Sequence, residues 1–80
     1  MSRVRVRFFG PARDATGVAT TGLELDTVSE LVGVLRARYG EPIVSLLPSC
    51  QIWVNGEPAQ VDDKLADGDE VAVLPPVSGG

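Results

Sequence analysis

One segment of helical period stands among runs of period two, and that imbalance restricts the fold more than any other feature of the chain. In "DTVSELVGVLRARYG" (26–40), Val28, Leu31, Val32, Leu35 and Tyr39 recur at spacings of three and four. That spacing predicts a helix of about three turns with one apolar stripe. Thr27 followed three residues later by Glu30 reads as a capping box, and Gly40 then Pro42 supply the stop. The flanking runs behave differently. "RVRVRFF" (3–9) sets Val4, Val6 and Phe8 on one side and Arg3, Arg5 and Arg7 on the other, as in a half-buried strand. Phe9 breaks the alternation and shares the outer face of the arginines, a modest sign of a contact surface.

The remaining elements are set by punctuation. "GPARDATG" (10–17) reads as loop, and "VATTGLEL" (18–25) as a weaker strand bent at Gly22. "PIVSLLPS" (42–49), bounded by prolines, reads as a short helical turn or packed loop. "QIWVNGEPA" (51–59) is a strand running into a turn at Asn55-Gly56, with Pro58 limiting any strand beyond the turn. A short strand is then expected within 59–70, before an acidic turn at Asp67-Gly68-Asp69. "EVAVL" (70–74) is the last strand. The order is β-β-α-β-(β)-β, and one helix cannot cover two sheet faces. The expected architecture is α+β: a mixed sheet with one main helix packed on one face. The most apolar strands, first and last, belong in its middle, giving the order 2-1-5-3 of a β-grasp (ubiquitin-like) fold. Residues 1–74 form the domain and residues 75–80 an extended, flexible tail.

Eighty residues allow one core and no second one. Residues 1–40 carry six Arg against four acids, whereas 41–80 carry Lys64 against seven. An acidic second half argues against nucleic acid, which needs clustered Lys and Arg. It fits either a basic protein partner or a solvated surface that keeps a small domain soluble. The single cysteine, Cys50, permits no internal disulfide and fits a reducing cytoplasm. With no His and no cysteine cluster, a protein-built metal site is not expected. Neither a membrane-length apolar run nor a signal-peptide pattern is present.

The chain ends "LPPVSGG" (74–80). Six residues extended at about 3.3 Å each reach roughly 20 Å. Pro75 and Pro76 stiffen the start near polyproline geometry, so less entropy is lost on entering a partner's channel. From Val71 to Gly80 there is no charged side chain, which leaves only the terminal carboxylate to neutralise. Gly79 and Gly80 lack Cβ atoms and permit a narrow channel with close backbone approach to a phosphate. Chemistry would lie at the Gly80 carboxylate, a poor electrophile until its oxygen becomes a good leaving group. No phosphate-binding glycine loop followed by Lys-Ser/Thr is present, so a partner must activate it.

"FFGPARDATG" near the start and "DGDEVAVLPPVSGG" at the end, with the length between them, resemble the ubiquitin-like sulfur-carrier family, specifically its branch of molybdopterin synthase small subunits. The resemblance covers essentially the whole chain. It implies a sulfur carrier for molybdenum cofactor biosynthesis, a non-catalytic donor subunit rather than an enzyme by itself. An ATP-dependent enzyme similar to ubiquitin-activating enzymes would adenylate Gly80. A sulfur donor such as a cysteine desulfurase or sulfurtransferase would then supply a thiocarboxylate. The loaded tail would enter the large, catalytic synthase subunit and give its sulfur to the pterin precursor. Gly79 would line the channel, with Ser78, Val77, Pro76 and Pro75 as the inserted stem. Phe9, Arg13 and Leu74 match positions resembling the family's partner surface, and sheet order adds Trp53 to the same face. The chain would bind no cofactor of its own, touch neither nucleic acid nor membrane, and act in the cytoplasm. Three other readings remain open: a carrier for thiamine or cysteine biosynthesis, a protein modifier ending on a target lysine, and a plain β-grasp interaction module.

Overall fold

Alternation along the first strand is resolved by a single core on one side of a sheet. The computed structural model describes residues 2–76. In β1 (Arg3–Phe8), Val4, Val6 and Phe8 are buried while Arg3, Arg5 and Arg7 are exposed. β2 (Thr20–Glu24) pairs with it antiparallel, and β5 (Glu70–Leu74) pairs with its other side in parallel. β3 (Gln51–Val54) joins β5 antiparallel, with β4 (Glu57–Pro58) at the edge. The order β2-β1-β5-β3-β4 places the first and last strands inside the sheet, as their apolar character requires. This is the expected mixed-sheet β-grasp arrangement.

Three helices pack on the face carrying Val4, Val6, Phe8, Val71 and Val73. The longest, α2 (Glu30–Tyr39), buries Leu31 and Leu35. Its Tyr39 ring meets Phe8 edge-on at 5.9 Å between centroids, tying the helix to β1. Its start differs from a complete capping box. Glu30 Oε1 accepts the Thr27 N–H at 3.0 Å, but no side chain caps the helix. Backbone carbonyls of Asp63 and Val61 instead accept the N–H groups of Val28 and Ser29. The chain between β4 and β5 thereby holds the entry to the helix. Val32, counted in the apolar stripe, lies outside the core and is 41% exposed.

Two other expectations fail for local reasons. Residues 11–16 form a helix, α1 (Pro11–Thr16), rather than loop, with Ala12 buried in the core. Its glycine and proline are boundary devices: Pro11 occupies the first turn, and Gly17, at φ 77°, closes the helix by donating to Arg13 O. The fourth strand is also displaced. Asn55 (φ 51°) and Gly56 (φ 83°) make a two-residue hairpin turn, so the chain returns at Glu57 and β4 is complete by Pro58. Residues 59–69 hold only turns and an isolated bridge between Thr27 and Lys64. The proline-bounded stretch forms α3 (Ile43–Leu46) and a 3-10 turn (Leu47–Ser49), matching the first of its two readings.

Candidate functional site

The tail root is built where β1, β5 and β3 end side by side on the face without helices. Register sets Arg7 beside Ala72, Ala72 beside Trp53, and Trp53 beside Pro58. One step further along, Leu74 lies opposite Gln51. The Phe9 N–H donates to Val73 O at 3.1 Å, continuing the parallel ladder and bringing Phe9 level with Leu74. Thus Leu74 and Trp53 on adjacent strands, and Phe9 just past the end of β1, share one face, as the sequence predicts. All three are half-buried rather than fully exposed. The Arg7 guanidinium lies 5.3 Å over the Phe9 ring and bonds Glu70 at 3.1 Å. Trp53 Nε1 donates to Gln51 Oε1 at 3.0 Å. Their polar handles are internally partnered while hydrocarbon remains presented, a surface suited to desolvation by a partner.

Arg13 sits on the exposed side of α1, four residues beyond Phe9, and its guanidinium makes no bond or ion pair among the described residues. The structure gives it an available charge but no contact with Phe9, Leu74 or Trp53. Pro75 is half-buried and Pro76 exposed. The site feature that sequence reading missed is Gly10. It adopts φ 54°, ψ −131°, a region almost reserved for glycine, and a Cβ built there would stand 3.5 Å from the Pro75 ring. Pro75 therefore lies against the turn after β1. The FFGP run held a clue, since glycine between an aromatic and a proline is where such a backbone belongs. Val77, Ser78, Gly79 and Gly80, expected to form the inserted stem and its reactive end, fall outside the described residues.

The acidic turn is largely occupied by the fold itself. Asp67 Oδ1 accepts the Arg3 N–H at 2.7 Å, and Gly68 N–H donates to Arg3 O at 2.9 Å. Asp69 accepts from Ala66 N–H at 2.8 Å and from the Asn55 amide at 2.9 Å, and Asn55 accepts the Glu70 N–H. The Ala66 bond first, then the Asn55 bond, hold the Asp69 carboxyl below the usual aspartate range. This turn is a clasp between β1, β3 and β5. Cys50 is half-buried, and burial pushes its thiol above the ordinary value, which opposes nucleophilic use. Among the described residues no group of three or more potential ligands could hold a metal ion, and no helix is long and apolar enough to cross a membrane.

Comparison with known proteins bears on this arrangement. Residues 6–80 match the model of the ThiS family. A molybdopterin synthase sulfur carrier subunit of Chlamydomonas reinhardtii is 32% identical over 83 residues, covering 98% of this chain and 99% of that protein. The solution structure of small archaeal modifier protein 1 from Methanosarcina acetivorans superposes with a TM-score of 0.87 at 27% identity, covering 100% of this chain and 98% of the other. A chain in the complex of subunits 1 and 2 of the molybdopterin-converting factor from Helicobacter pylori superposes with a TM-score of 0.73 at 32% identity, over 98% and 99%. The span matched to the family, residues 6–80, includes both blocks that meet at the tail root, Phe9-Gly10 and Leu74-Pro75.

Proposed function

This chain belongs to the ThiS family of ubiquitin-like sulfur carriers, and from that premise we propose that it carries sulfur on its C-terminal glycine for molybdenum cofactor biosynthesis. The observation that carries this reading is the tail root. The last sheet residue, Leu74, lies level with Phe9, and Pro75 seats on Gly10 before an uncharged Val-Ser-Gly-Gly sequence. An adenylating enzyme similar to ubiquitin-activating enzymes transfers AMP from ATP to the Gly80 carboxylate, releasing pyrophosphate. A sulfur donor, a cysteine desulfurase or sulfurtransferase, presents a persulfide whose outer sulfur displaces AMP to give an acyl disulfide. A second thiol then cleaves that S–S bond, leaving the thiocarboxylate and a disulfide on the donor. Within the synthase the large subunit receives the stem Pro75–Gly80, and sulfur passes to the pterin precursor while water restores the carboxylate.

The chain's own contribution is presentation. Phe9, Leu74 and Trp53 supply the apolar part of the docking face, and Arg13, on α1, an exposed charge for a separate contact. ATP belongs to the activating partner, so this chain binds no cofactor. The likeness to a subunit found in complex with a second subunit supports a heteromeric assembly. Intact-mass measurement after incubation with activating enzyme, ATP and a sulfur donor should show one oxygen of the C-terminus replaced by sulfur. A Gly80 deletion should lose this product while its thermal unfolding stays unchanged. If the deleted chain were loaded as well as the intact one, the carrier reading would fail.

A second reading, attachment to lysines of other proteins, is favoured by the likeness to a small archaeal modifier protein. It uses the same activated Gly80. Covalent adducts at target lysines, formed without any transfer to a pterin, would select it.

A further inference from the structure

α2 and β3 fail to close on each other, leaving an open trough of about 600 Å³ between the helix and the β3–β4 edge, which borders the tail-root face at Gln51 and Trp53. One wall is Val28, in the turn before α2, with Val32 and Arg36 one turn apart along one side of the helix. The other includes Ile52 and Val61. Two of the three large hydrophobic side chains that stand exposed among the described residues, Val32 at 41% and Val61 at 72%, face this same space. That is where a small monomeric domain should least tolerate them unless something covers them.

Charge says what kind of cover fits. Arg36 is the only charged residue lining the trough, and its guanidinium makes no ion pair or hydrogen bond among the described residues. At the opposite end the Val61 and Asp63 carbonyls accept the N–H groups of Ser29 and Val28, which closes that end with backbone rather than charge. The trough is thus lined mostly by apolar side chains, with a single cation, Arg36. From Glu30 to Arg36 the helix rises about 9 Å, the span of roughly three extended residues. The sheet edge beside it does not invite strand addition. Pro58 lies opposite Trp53 in a pair that makes no ladder bonds, so its nitrogen faces outward with no N–H to offer.

We propose that this trough binds a short extended segment of a partner protein, with two or three aliphatic side chains seated on Val32, Ile52 and Val61 and a carboxylate paired with Arg36. Recognition is through side chains, not by extending the sheet. This surface lies along the β3–β4 edge beside α2 and does not depend on the carrier reading.

The test is a heteronuclear NMR titration of the full chain with capped tetrapeptides of three aliphatic residues and one Asp, the acid placed at either end. Lysine-containing counterparts and decanoate serve as controls. Saturable shifts should appear at the amides of Val32, Arg36 and Val61. The tighter Asp peptide should exceed its Lys counterpart by about fivefold, the size expected of one exposed ion pair. Arg36→Glu should remove or reverse that preference, and Val61→Asp should abolish binding, with unfolding temperatures unchanged because both side chains are exposed. The proposal is overturned by no shift at the peptides' solubility limit, by shifts confined to Phe9, Ala72 and Leu74, or by equal affinity for Asp and Lys peptides. Binding of decanoate alone would also overturn it, as would concentration-dependent shifts of the same amides without peptide, the mark of a second copy.

Discussion

The two faces of the sheet use the same strands for opposite purposes. Towards the helices, Val4, Val6, Phe8, Val71 and Val73 are all buried to within 2% exposure. Towards the other side, the residues between them include Arg5, Arg7, Ala72 and Leu74, with Trp53 from β3, and none of these is buried. Period-two geometry makes this possible: one residue along the chain separates a side chain that holds the fold from one that is free to meet a partner. Stability and recognition should therefore be separable by substitution at neighbouring positions.

The largest effect is expected on the buried side. Leu35 is fully buried, and Leu35→Ala should cost about 2–5 kcal/mol of folding stability through lost burial and the cavity left behind. Chemical denaturation reads that directly. Affinity for the large synthase subunit, measured where the variant is still folded, should change little; a parallel loss of binding would mean the two faces are not independent. On the open side the pattern should invert. Leu74→Asp should weaken that binding by about tenfold or more, a charge desolvated in an apolar contact, while leaving the unfolding midpoint nearly in place. Calorimetric titration alongside a thermal melt tests both halves.

Smaller still is the contribution of the acidic clasp. Because hydrogen bonds from Ala66 and Asn55 lower the Asp69 carboxyl, its stabilisation is present above the ordinary aspartate range and is lost as pH falls through the folded value, which lies below that range. Asp69→Asn should flatten the acid side of the stability profile and leave partner affinity alone. A fall in affinity instead would place the turn in the interface. Least of all, Cys50 should alkylate more slowly than a free thiol at neutral pH, since burial raises its pKa; denaturant should restore the ordinary rate.

Legibility in the sequence divides along the same line. Alternation in 3–9 and 70–74, together with one helical period, sufficed for the sheet order and for the face shared by Phe9, Leu74 and Trp53. Local patterns failed where a residue type has two uses. Gly10, Pro11 and Gly17 are loop punctuation in one context and helix boundaries in another, and only the packing of Ala12 selects the helix. Asn55-Gly56 announced a turn, but the immediate return at Glu57 depends on pairing with Val54. Val32 fits the helical stripe, yet its neighbours across space are set by residues 59–61, far along the sequence. The seat of Pro75 on Gly10 joins residues 65 apart and is invisible to any window of sequence.

A carrier requires that the last carboxylate, and no side chain, be the group that accepts AMP and then sulfur. One residue added after Gly80 moves that carboxylate without touching any described part of the fold. Incubated with activating enzyme, ATP and sulfur donor, the extended chain should keep its unfolding midpoint and show no exchange of oxygen for sulfur in its intact mass. Full sulfur loading with the added residue still attached would contradict the assignment of the chemistry to Gly80.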